Sequence, residues 1–253
     1  MRLPAFVRSI IQNTLHKCGY EIHRCHRDGE TTAGALYEWV NPHATYSPWN
    51  ADTDFLETYR DIHLHTRVDR YRCFDLWSLV GQSRKAEGSL IEVGVWRGGT
   101  GALIARRASL AGINAPVYLC DTFTGVVKAS HRDTVYRGGE HADTTRQTVE
   151  ALLDTLGISN VKILEGIFPE QTAHMIREDR FRFCHIDVDV YQSAKDILDW
   201  IWHRMSIGGI IVYDDYGFQQ CSGITKHVEE QVHDPDRVIL HNLNGHAVII
   251  KIR

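Results

Sequence analysis

Short apolar runs alternate with longer amphipathic segments from residue 89 to the end of the chain. Seven such runs, typical of strands buried on both faces of a sheet, lie at residues 90–95, 117–120, 161–164, 183–186, 209–213, 238–240 and 247–252. Apolar positions at helical spacing predict intervening helices at 99–111, 144–156, 170–178, 193–204 and 223–232. This alternation predicts an α/β fold: a doubly wound, Rossmann-like, mostly parallel seven-stranded sheet with helices on both faces. Because only a short turn near 242–245 separates the last two runs, we expect an antiparallel last strand.

The first fifty residues follow a different pattern. Four apolar residues recur at helical spacing near the start of the chain: Phe6, Ile10, Ile11 and Leu15. A polar stretch with Gly, Pro and Asn follows from Asp28 to Asn50. We therefore predict an N-terminal helix and an irregular arm or lid over residues 1–50, and a packed domain over residues 51–253. The apolar stripe suits an ordinary packed helix, a homodimer contact or a membrane surface, and we expect a homodimer formed through this arm.

Two amphipathic helices are predicted to open the packed domain, at residues 52–65 and 71–82. Asp54 is the expected N-terminal cap of the first.

Composition narrows the class of protein. The chain has 253 residues, 43% of them hydrophobic, which is enough to bury a full core. A formal charge of -4 without a long Lys/Arg run argues against nucleic acid as a partner. Six cysteines without a CxxC pair favour reduced thiols in a cytoplasmic protein, and we predict neither a signal peptide nor a transmembrane segment.

A glycine-containing turn lies where the first predicted strand meets a helix. Residues 92–100 read Glu-Val-Gly-Val-Trp-Arg-Gly-Gly-Thr, and glycine there allows a tight turn and close approach to a nucleotide cofactor. The spacing differs from GxGxxG, and glycine also ends strands for steric reasons, so the turn alone is weak evidence. Glu92, in an apolar strand, needs a partner, such as a cationic or hydrogen-bonding ligand group.

The second predicted strand runs directly into Asp121. A carboxylate at that strand end can accept the ribose hydroxyls of an adenosine. The alternative is that Asp121 caps the segment that follows it. Both interpretations stay open on the sequence alone.

Two acidic pairs follow the fourth and fifth apolar runs: Asp187 with Asp189, and Asp214 with Asp215. The carboxyl ends of parallel strands share one edge, so all four carboxylates are expected in one crevice, where their mutual repulsion favours a bound cation. Oxygen ligands favour Mg²⁺ over zinc, while Ca²⁺ and Mn²⁺ remain possible. Strand alternation predicts that the first pair points one way, and the second pair implies a turn beginning there. The alternative is that these are solvated strand-end acids.

Taken together, these segments resemble the macrocin O-methyltransferase family, metal-dependent enzymes that methylate sugar hydroxyls in antibiotic and glycan biosynthesis. The resemblance covers roughly residues 90–230 and is carried by residues 92–99, 121–125, 166–172, 186–193 and 208–217, with Cys221 and Gly223 after them. It implies a class I fold dependent on S-adenosyl-L-methionine (SAM). The family has a proline soon after the 121–125 segment, where this chain reads Val-Val-Lys-Ala, so the acceptor-side loop, and with it the substrate, is left open.

The resemblance also assigns roles. It implies that Asp187, Asp214 and Asp215 bind Mg²⁺ and that Asp189 is the general base. It implies that SAM is held by Glu92, Gly94 and Asp121, with further contacts expected from Val95, Trp96, Arg97, Gly98, Thr100, Thr122, Phe123, Gly166, Phe168 and Asp187.

The expected reaction is methyl transfer from SAM to a hydroxyl of a sugar or glycoside whose vicinal diol is chelated by Mg²⁺. Alternatives are an O-methyltransferase for a catechol-like small molecule and a non-catalytic nucleotide-binding assembly module. An oxygenase is disfavoured because no two-histidine, one-carboxylate set is evident at the strand ends. Three histidines, His131, His141 and His185, are further candidates for a base, and residues 128–143 are expected to form a mobile lid.

Overall fold

The computed structural model describes residues 5–18, 36, 37, 40 and 44–253. The chain divides into two units, residues 1–43 and residues 44–253. The first unit contains helix α1 (Ala5–Lys17), in agreement with the predicted N-terminal helix. Most of the predicted arm, including residues 19–35, lies outside the described residues, as do the side chains of Phe6 and Ile10 in the apolar stripe.

The second unit is built on one seven-stranded sheet. Its strands are β1 (Ser89–Val93), β2 (Val117–Asp121), β3 (Val161–Glu165), β4 (Phe181–Ile186), β5 (Met205–Tyr213), β6 (Arg237–His241) and β7 (Ala247–Lys251). They are arranged in the order β3-β2-β1-β4-β5-β7-β6, and β7 runs antiparallel to both of its neighbours. The predicted α/β fold, with a mostly parallel sheet and an antiparallel last strand, is confirmed.

Helices cover both faces of this sheet. They are α2 (Thr53–Ile62), α3 (Arg70–Ser83), α4 (Gly99–Leu110), α5 (Arg146–Thr155), α6 (Tyr191–Ile201) and α7 (Ser222–Glu229). Buried residues of α2 to α5 join one apolar core cluster, and those of α6 and α7 join a second cluster on the other face. Because every βαβ crossover covers a face, β1 and most of β2 are buried, as the continuous apolar runs predicted.

Two local predictions are wrong. The N-cap of α2 is Asp52, whose Oδ1 accepts a hydrogen bond from Phe55 N at 2.9 Å, and Asp54 lies inside the first turn. The helix predicted at 170–178 is limited to a single 3-10 turn, Ala173–Met175. An isolated helix of that length is marginal, and the chain instead extends after the turn so that Ile176 packs against the second core cluster.

The strand order fixes where a ligand crevice forms. The chain winds outward from β1 through β2 to β3 and then returns to place β4 on the other side of β1. In doubly wound sheets, ligands bind outside the carboxyl ends of the strands at such a switch point. Both the glycine turn and the two acidic pairs emerge at this edge.

Candidate functional site

The glycine turn is shaped by the strand beside it. Gly94 has a left-handed backbone (φ 88°), and a Cβ atom there would collide with the backbone carbonyl of Asp187. The two segments are joined by a hydrogen bond from Asp187 N to the Val93 carbonyl at 2.9 Å. Glycine is therefore required at position 94 by the close passage of two strand ends, whatever ligand the turn also approaches.

Asp121 closes the glycine turn from the end of β2. Its Oδ2 accepts hydrogen bonds from Val95 N at 2.7 Å and Trp96 N at 2.9 Å, and its Oδ1 accepts one from Phe123 N at 2.7 Å. The carboxylate thus caps its own following turn and also fixes the β1 turn, a structural role that sequence reasoning had only partly anticipated. Since each carboxylate oxygen has two lone pairs, Asp121 retains acceptor capacity toward a ligand.

A cavity of about 330 Å³ lies between the glycine turn and the acidic pairs. Most of the residues predicted from the resemblance line it: Gly94, Val95, Trp96, Thr100, Asp121, Thr122, Gly166, Phe168, Asp187, Asp189, Asp214 and Asp215. Four others are not among the lining residues: Glu92, Arg97, Gly98 and Phe123. The structure therefore brings together the predicted cofactor and metal residues, with these four behind or beside the cavity.

Glu92 has a protein partner. It is fully buried, and its Oε1 lies 2.8 Å from Nδ1 of His185, which is also fully buried. Burial raises the pKa of Glu92, while its hydrogen bond and charge pairing with His185 oppose that rise. The partner of this buried acid is therefore a histidine on β4, where a ligand group had been expected. His185, one of the three histidines considered as a base, is enclosed by protein and does not line the cavity.

Three carboxylates converge at the strand ends. One oxygen from each of Asp187, Asp214 and Asp215 lies within 4.8 Å of the other two. The first pair does not reach the cavity by strand alternation, because β4 ends at Ile186 and Asp189 has a left-handed backbone (φ 63°). The turn expected after β5 does begin at Asp214. All four side chains line the cavity, although the geometric reason differs from the prediction for the first pair.

The electrostatics of this cluster suit a cation. Burial raises the pKa of Asp187 well above its usual range, and repulsion from Asp214 and Asp215 adds to the rise. Burial also raises the pKa of Asp215, with further increases from Asp189 and Asp214. A divalent cation would relieve this repulsion and is bound by oxygen donors, so the residues present fit Mg²⁺.

Asp214 is the exception within the cluster. Its Oδ2 forms an ion pair with Arg72, whose Nη1 also donates to the Asp214 carbonyl at 3.2 Å. Its Oδ1 lies 3.0 Å from Nε2 of His246. Burial would raise the pKa of Asp214, but Arg72 and the neighbouring histidines outweigh burial and lower it well below its usual range. Asp214 is thus a fixed anion beside two carboxylates that resist ionisation.

Asp189 faces a separate set of side chains. Cys221 Sγ lies 3.7 Å from Asp189 Oδ1, and His141 Nε2 lies 3.9 Å from Asp189 Oδ2. Burial raises the pKa of Asp189, and a hydrogen bond from the Tyr136 hydroxyl opposes the rise. A carboxylate whose pKa is raised above its usual value is a better proton acceptor. His131, the third histidine candidate, is exposed.

The segment 128–143 is anchored to the domain at several points. Lys128 forms ion pairs with Glu170 and Asp196. Buried Asp133 accepts a hydrogen bond from Tyr191 N, at the start of α6, at 2.9 Å. Near the far end, Asp143 Oδ1 accepts one from Trp96 Nε1 at 2.9 Å. These contacts hold the segment, expected to be a mobile lid, over the cavity and explain how Tyr136 and His141 reach Asp189.

Sequence reasoning did not single out Arg72, Asp75 or His246. Arg72 belongs to a helix that precedes the sheet, and His246 precedes β7, so neither occupies a strand's carboxyl end. The available clue was the i, i+3 spacing of Asp69, Arg72 and Asp75 on one helix face. The structure also corrects the argument that was used against an oxygenase. No set of two histidines and a carboxylate was expected, yet His185, Asp214 and His246 converge.

Known O-methyltransferases are similar to this chain in sequence. A family model described as Macrocin-O-methyltransferase (TylF) matches residues 64–241, more than half of the chain. A tetracenomycin-C 4'-O-methyltransferase of Streptomyces olivaceus, acting on the 8-demethyl-8-(2,3-dimethoxy-alpha-L-rhamnosyl) form, is 31% identical over 144 residues, 53% of this chain and 55% of that protein. Mycinamicin III 3''-O-methyltransferase of Micromonospora griseorubida is 28% identical over 62% of this chain and 67% of its own length. The match therefore spans little more than half of the first relative.

Solved structures show the same fold. The O-methyltransferase NovP aligns with a TM-score of 0.66 and 22% identity, covering 75% of this chain and 83% of its own. The calicheamicin methyltransferase CalS11 aligns with a TM-score of 0.57 and 16% identity, covering 82% of this chain and 94% of its own. An O-methyltransferase from Bacillus cereus, in complex with SAH, aligns with a TM-score of 0.51 and 17% identity over 79% of this chain and 91% of its own.

Among the described residues, every helix is too short or too polar to span a membrane.

Proposed function

The chain belongs to the macrocin O-methyltransferase family, and from this premise we propose that it transfers a methyl group from SAM to a hydroxyl of a sugar or glycoside, with Mg²⁺ and an Asp general base. The observation that carries the proposal is the convergence of Asp187, Asp214 and Asp215 beside Asp189 in the cavity next to the glycine turn. We also propose that the enzyme acts as a cytoplasmic homodimer.

The acceptor class is supported by the relatives. The S. olivaceus enzyme is named for a rhamnosyl-bearing tetracenomycin, and the M. griseorubida enzyme is named for a 3'' position of mycinamicin III. Both names describe O-methylation of a natural product. A saccharide hydroxyl with a neighbouring oxygen is therefore the acceptor that we propose for this chain, as a free natural product or as a glycan precursor.

The cofactor is proposed to occupy the part of the cavity nearest to the glycine turn. There Gly94, Val95 and Trp96 line the cavity, and Asp121 presents a carboxylate at the ribose-binding position of a doubly wound sheet. Phe168 and Thr122 also line this cavity. When bound, SAM supplies a methyl group that is already activated by its sulfonium charge.

The metal is proposed to bind Asp187, Asp214 and Asp215. When bound, Mg²⁺ supplies a positive charge that orients two neighbouring acceptor oxygens and lowers the pKa of the acceptor hydroxyl. These carboxylates also neutralise that charge, and Arg72 keeps Asp214 ionised.

Asp189 is proposed to remove the acceptor proton. With SAM bound, the acceptor oxygen would take the methyl group from the sulfonium, which would become the thioether of S-adenosylhomocysteine, and Asp189 would accept the hydroxyl proton. The Tyr136 hydroxyl and the Cys221 thiol lie against this carboxylate and limit its rotation. Proton acceptance by a positioned carboxylate of raised pKa typically contributes a factor of about 10² to 10⁴ to the rate.

The decisive experiment combines metal removal with product analysis. The purified protein is treated with a chelator and assayed against a panel of glycosides with SAM, with and without added Mg²⁺, and methylated products are detected by mass spectrometry. We expect a methylated glycoside only when Mg²⁺ is restored. Full activity without metal would refute the metal assignment. Methylation of catechols in place of glycosides would reassign the acceptor class. If calorimetry detects no binding of SAM, the proposed methyltransferase activity is refuted.

A further inference from the structure

Carboxylates and histidines alternate along a buried chain that passes beside the cavity. We call this set, Glu92, His185, Asp214, His246 and Asp75, the carboxylate–histidine chain. His185 Nδ1 lies 2.8 Å from Glu92 Oε1, within hydrogen-bonding distance, and its Nε2 faces Asp214 Oδ1 at 3.6 Å, beyond hydrogen-bonding distance. His246 connects the same Asp214 oxygen (Nε2, 3.0 Å) to Asp75 (Nδ1 to Oδ2, 2.9 Å). Each imidazole therefore lies between two carboxylates, and Asp214 is the member that both histidines share.

Asp214 is also the member through which this chain reaches the cavity. The cavity lining includes Asp214 but neither His246 nor Asp75. His246 is fully buried, whereas the Asp75 side chain is partly exposed on α3. Asp75 is further fixed by Asn242, whose Nδ2 donates to the same Oδ2 at 2.7 Å. The contacts from Asp75 reach the cavity through His246 and Asp214.

One face of α3 holds Asp214 from two directions. Arg72 contacts Oδ2 directly and is itself oriented by Asp69, whose Oδ2 accepts from Arg72 Nε at 2.8 Å. One turn further along, Asp75 contacts Oδ1 through His246. Because both oxygens are held, the Asp214 carboxylate cannot rotate about its last bond without losing one of these partners. Of the two histidine connections to Asp214, the one through His246 is the shorter.

We propose that Asp75 is a positioning residue for the divalent metal: through His246 it fixes the Asp214 carboxylate in the orientation in which Asp214 ligates the ion. This inference rests on the proposed Mg²⁺ site. A histidine ring whose second nitrogen is held by a carboxylate has a fixed plane, and loss of such outer partners typically weakens metal affinity by roughly 10–100-fold. Asp75 would thus set metal affinity without contacting metal, cofactor or acceptor.

The test measures metal binding directly. Mn²⁺, which prefers the same oxygen ligands, is titrated into the full chain, and free Mn²⁺ is followed by electron paramagnetic resonance for the wild type, Asp75→Ala and Asp75→Asn. We expect the Mn²⁺ Kd of Asp75→Ala to rise roughly 10–100-fold. Asp75→Asn should show a smaller rise, because the amide oxygen still accepts from His246. The SAM Kd, measured by calorimetry, should not change, and at saturating Mg²⁺ turnover should return to the wild-type value.

Controls separate this inference from the proposed function. Asp154→Asn, an exposed change of the same kind on α5, should leave the Mn²⁺ Kd unchanged. If the wild type binds Mn²⁺ and Asp75→Ala binds it equally well, the inference is overturned while the proposed metal site stands. If the wild type does not bind Mn²⁺, the metal site itself falls, and the inference with it. Loss of SAM binding together with metal binding in both Asp75 variants would assign Asp75 to the fold and would also overturn the inference.

Discussion

Asp214 and Asp215 are adjacent in the chain and line the same cavity, yet their surroundings are opposite. Asp214 faces α3 and the start of β7, where Arg72 and His246 lie against its oxygens. Asp215 faces the loop side, where its Oδ2 accepts a hydrogen bond from Asp189 N at 3.1 Å and its Oδ1 lies 3.6 Å from Cys221 Sγ. Burial acts on both carboxylates, but positive partners lower the pKa of Asp214, whereas neighbouring carboxylates raise that of Asp215. The cluster therefore pairs a carboxylate that its partners stabilise as an anion with carboxylates whose negative charge is disfavoured in the absence of a cation.

Because of this difference, Asp214 on the α3 side and the carboxylates on the loop side contribute to protein stability with opposite pH dependences. Asp214 has a lowered pKa in the folded state, so its contribution to stability is present above the unfolded pKa of about 3.9 and is lost as pH falls through the folded pKa. Asp187 and Asp215 have raised folded pKa values, so their contribution is present below about pH 3.9 and is lost as pH rises through those values. Near neutral pH the metal-free protein is thus stabilised on the α3 side and destabilised on the loop side.

The largest expected effect concerns the base on the loop side. Asp189→Asn removes the proton acceptor, and we expect kcat to fall by about 10² to 10⁴. The SAM Kd should stay near the wild-type value, because Asp189 is not among the proposed cofactor contacts. Steady-state kinetics and calorimetry check the two parts separately, and retained turnover would reassign the base.

The next largest effect is expected from the guanidinium of Arg72 on α3. Arg72→Met removes the guanidinium that pairs with buried Asp214, and we expect the free energy of unfolding at pH 7 to fall by about 3–5 kcal/mol. Urea denaturation measures the loss. Protonation of Asp214 should relieve it, so the difference from the wild type should shrink as pH falls. A difference that does not depend on pH would mean that Arg72 contributes packing alone.

A smaller effect of opposite sign is expected on the loop side. Asp215→Asn removes repulsion among the carboxylates, and we expect the metal-free protein to gain roughly 0.5–2 kcal/mol near pH 8, at the expense of the metal-dependent activity. Thermal denaturation without metal measures the gain. Asp214→Asn is the matched control, and it should destabilise the protein because it leaves Arg72 and His246 without their carboxylate. Equal effects of the two substitutions would remove the contrast between the two sides.

The smallest effect tests how much the hydrogen bond from Tyr136 contributes to the position of the Asp189 carboxylate. Tyr136→Phe deletes one hydroxyl that hydrogen-bonds to Asp189. A single hydrogen bond of this kind contributes about 1 kcal/mol, so we expect kcat/KM to fall about fivefold with the Tm little changed. Kinetics with a glycoside acceptor check this value. A loss as large as that of Asp189→Asn would make Tyr136 part of the proton-transfer chemistry instead.

Much of the fold followed from local pattern. Apolar runs identified all seven strands. Strands β1 and β2 are buried along most of their length, as strands covered on both faces should be, whereas β3 and β6, at the two edges of the sheet, keep exposed positions. The predicted helix at 170–178 is wrong because the conformation of so short a segment depends on its tertiary contacts, here the packing of Ile176 against the second core cluster. The cap of α2 was misplaced by two residues, since Asp52 and Asp54 are equally good caps by residue type and only the backbone geometry distinguishes them.

The candidate site was predictable only in part, and for a similar reason. Asp187, Asp189, Asp214 and Asp215 each follow a strand, so the rule that parallel strands end at one edge was enough to place them together. Glu92 was correctly expected to need a partner, but its partner His185 lies 93 residues away and pairs through the register of two neighbouring strands. Arg72 comes from a helix, which no strand-end rule includes. His246 precedes β7, and only because β7 is antiparallel does its start lie at the edge where β5 ends.

By itself the sequence determined the class of fold, the edge at which the chemistry collects and the residue types that collect there, because periodicity and strand direction are local properties of the chain. Only the tertiary structure decided which carboxylate is held as an anion and which is left to repel its neighbours. That distinction depends on charges brought within a few ångströms from distant positions, such as Arg72 against Asp214, 142 residues apart. The electrostatic energy of a buried carboxylate falls off with distance in space, and the sequence does not record that distance.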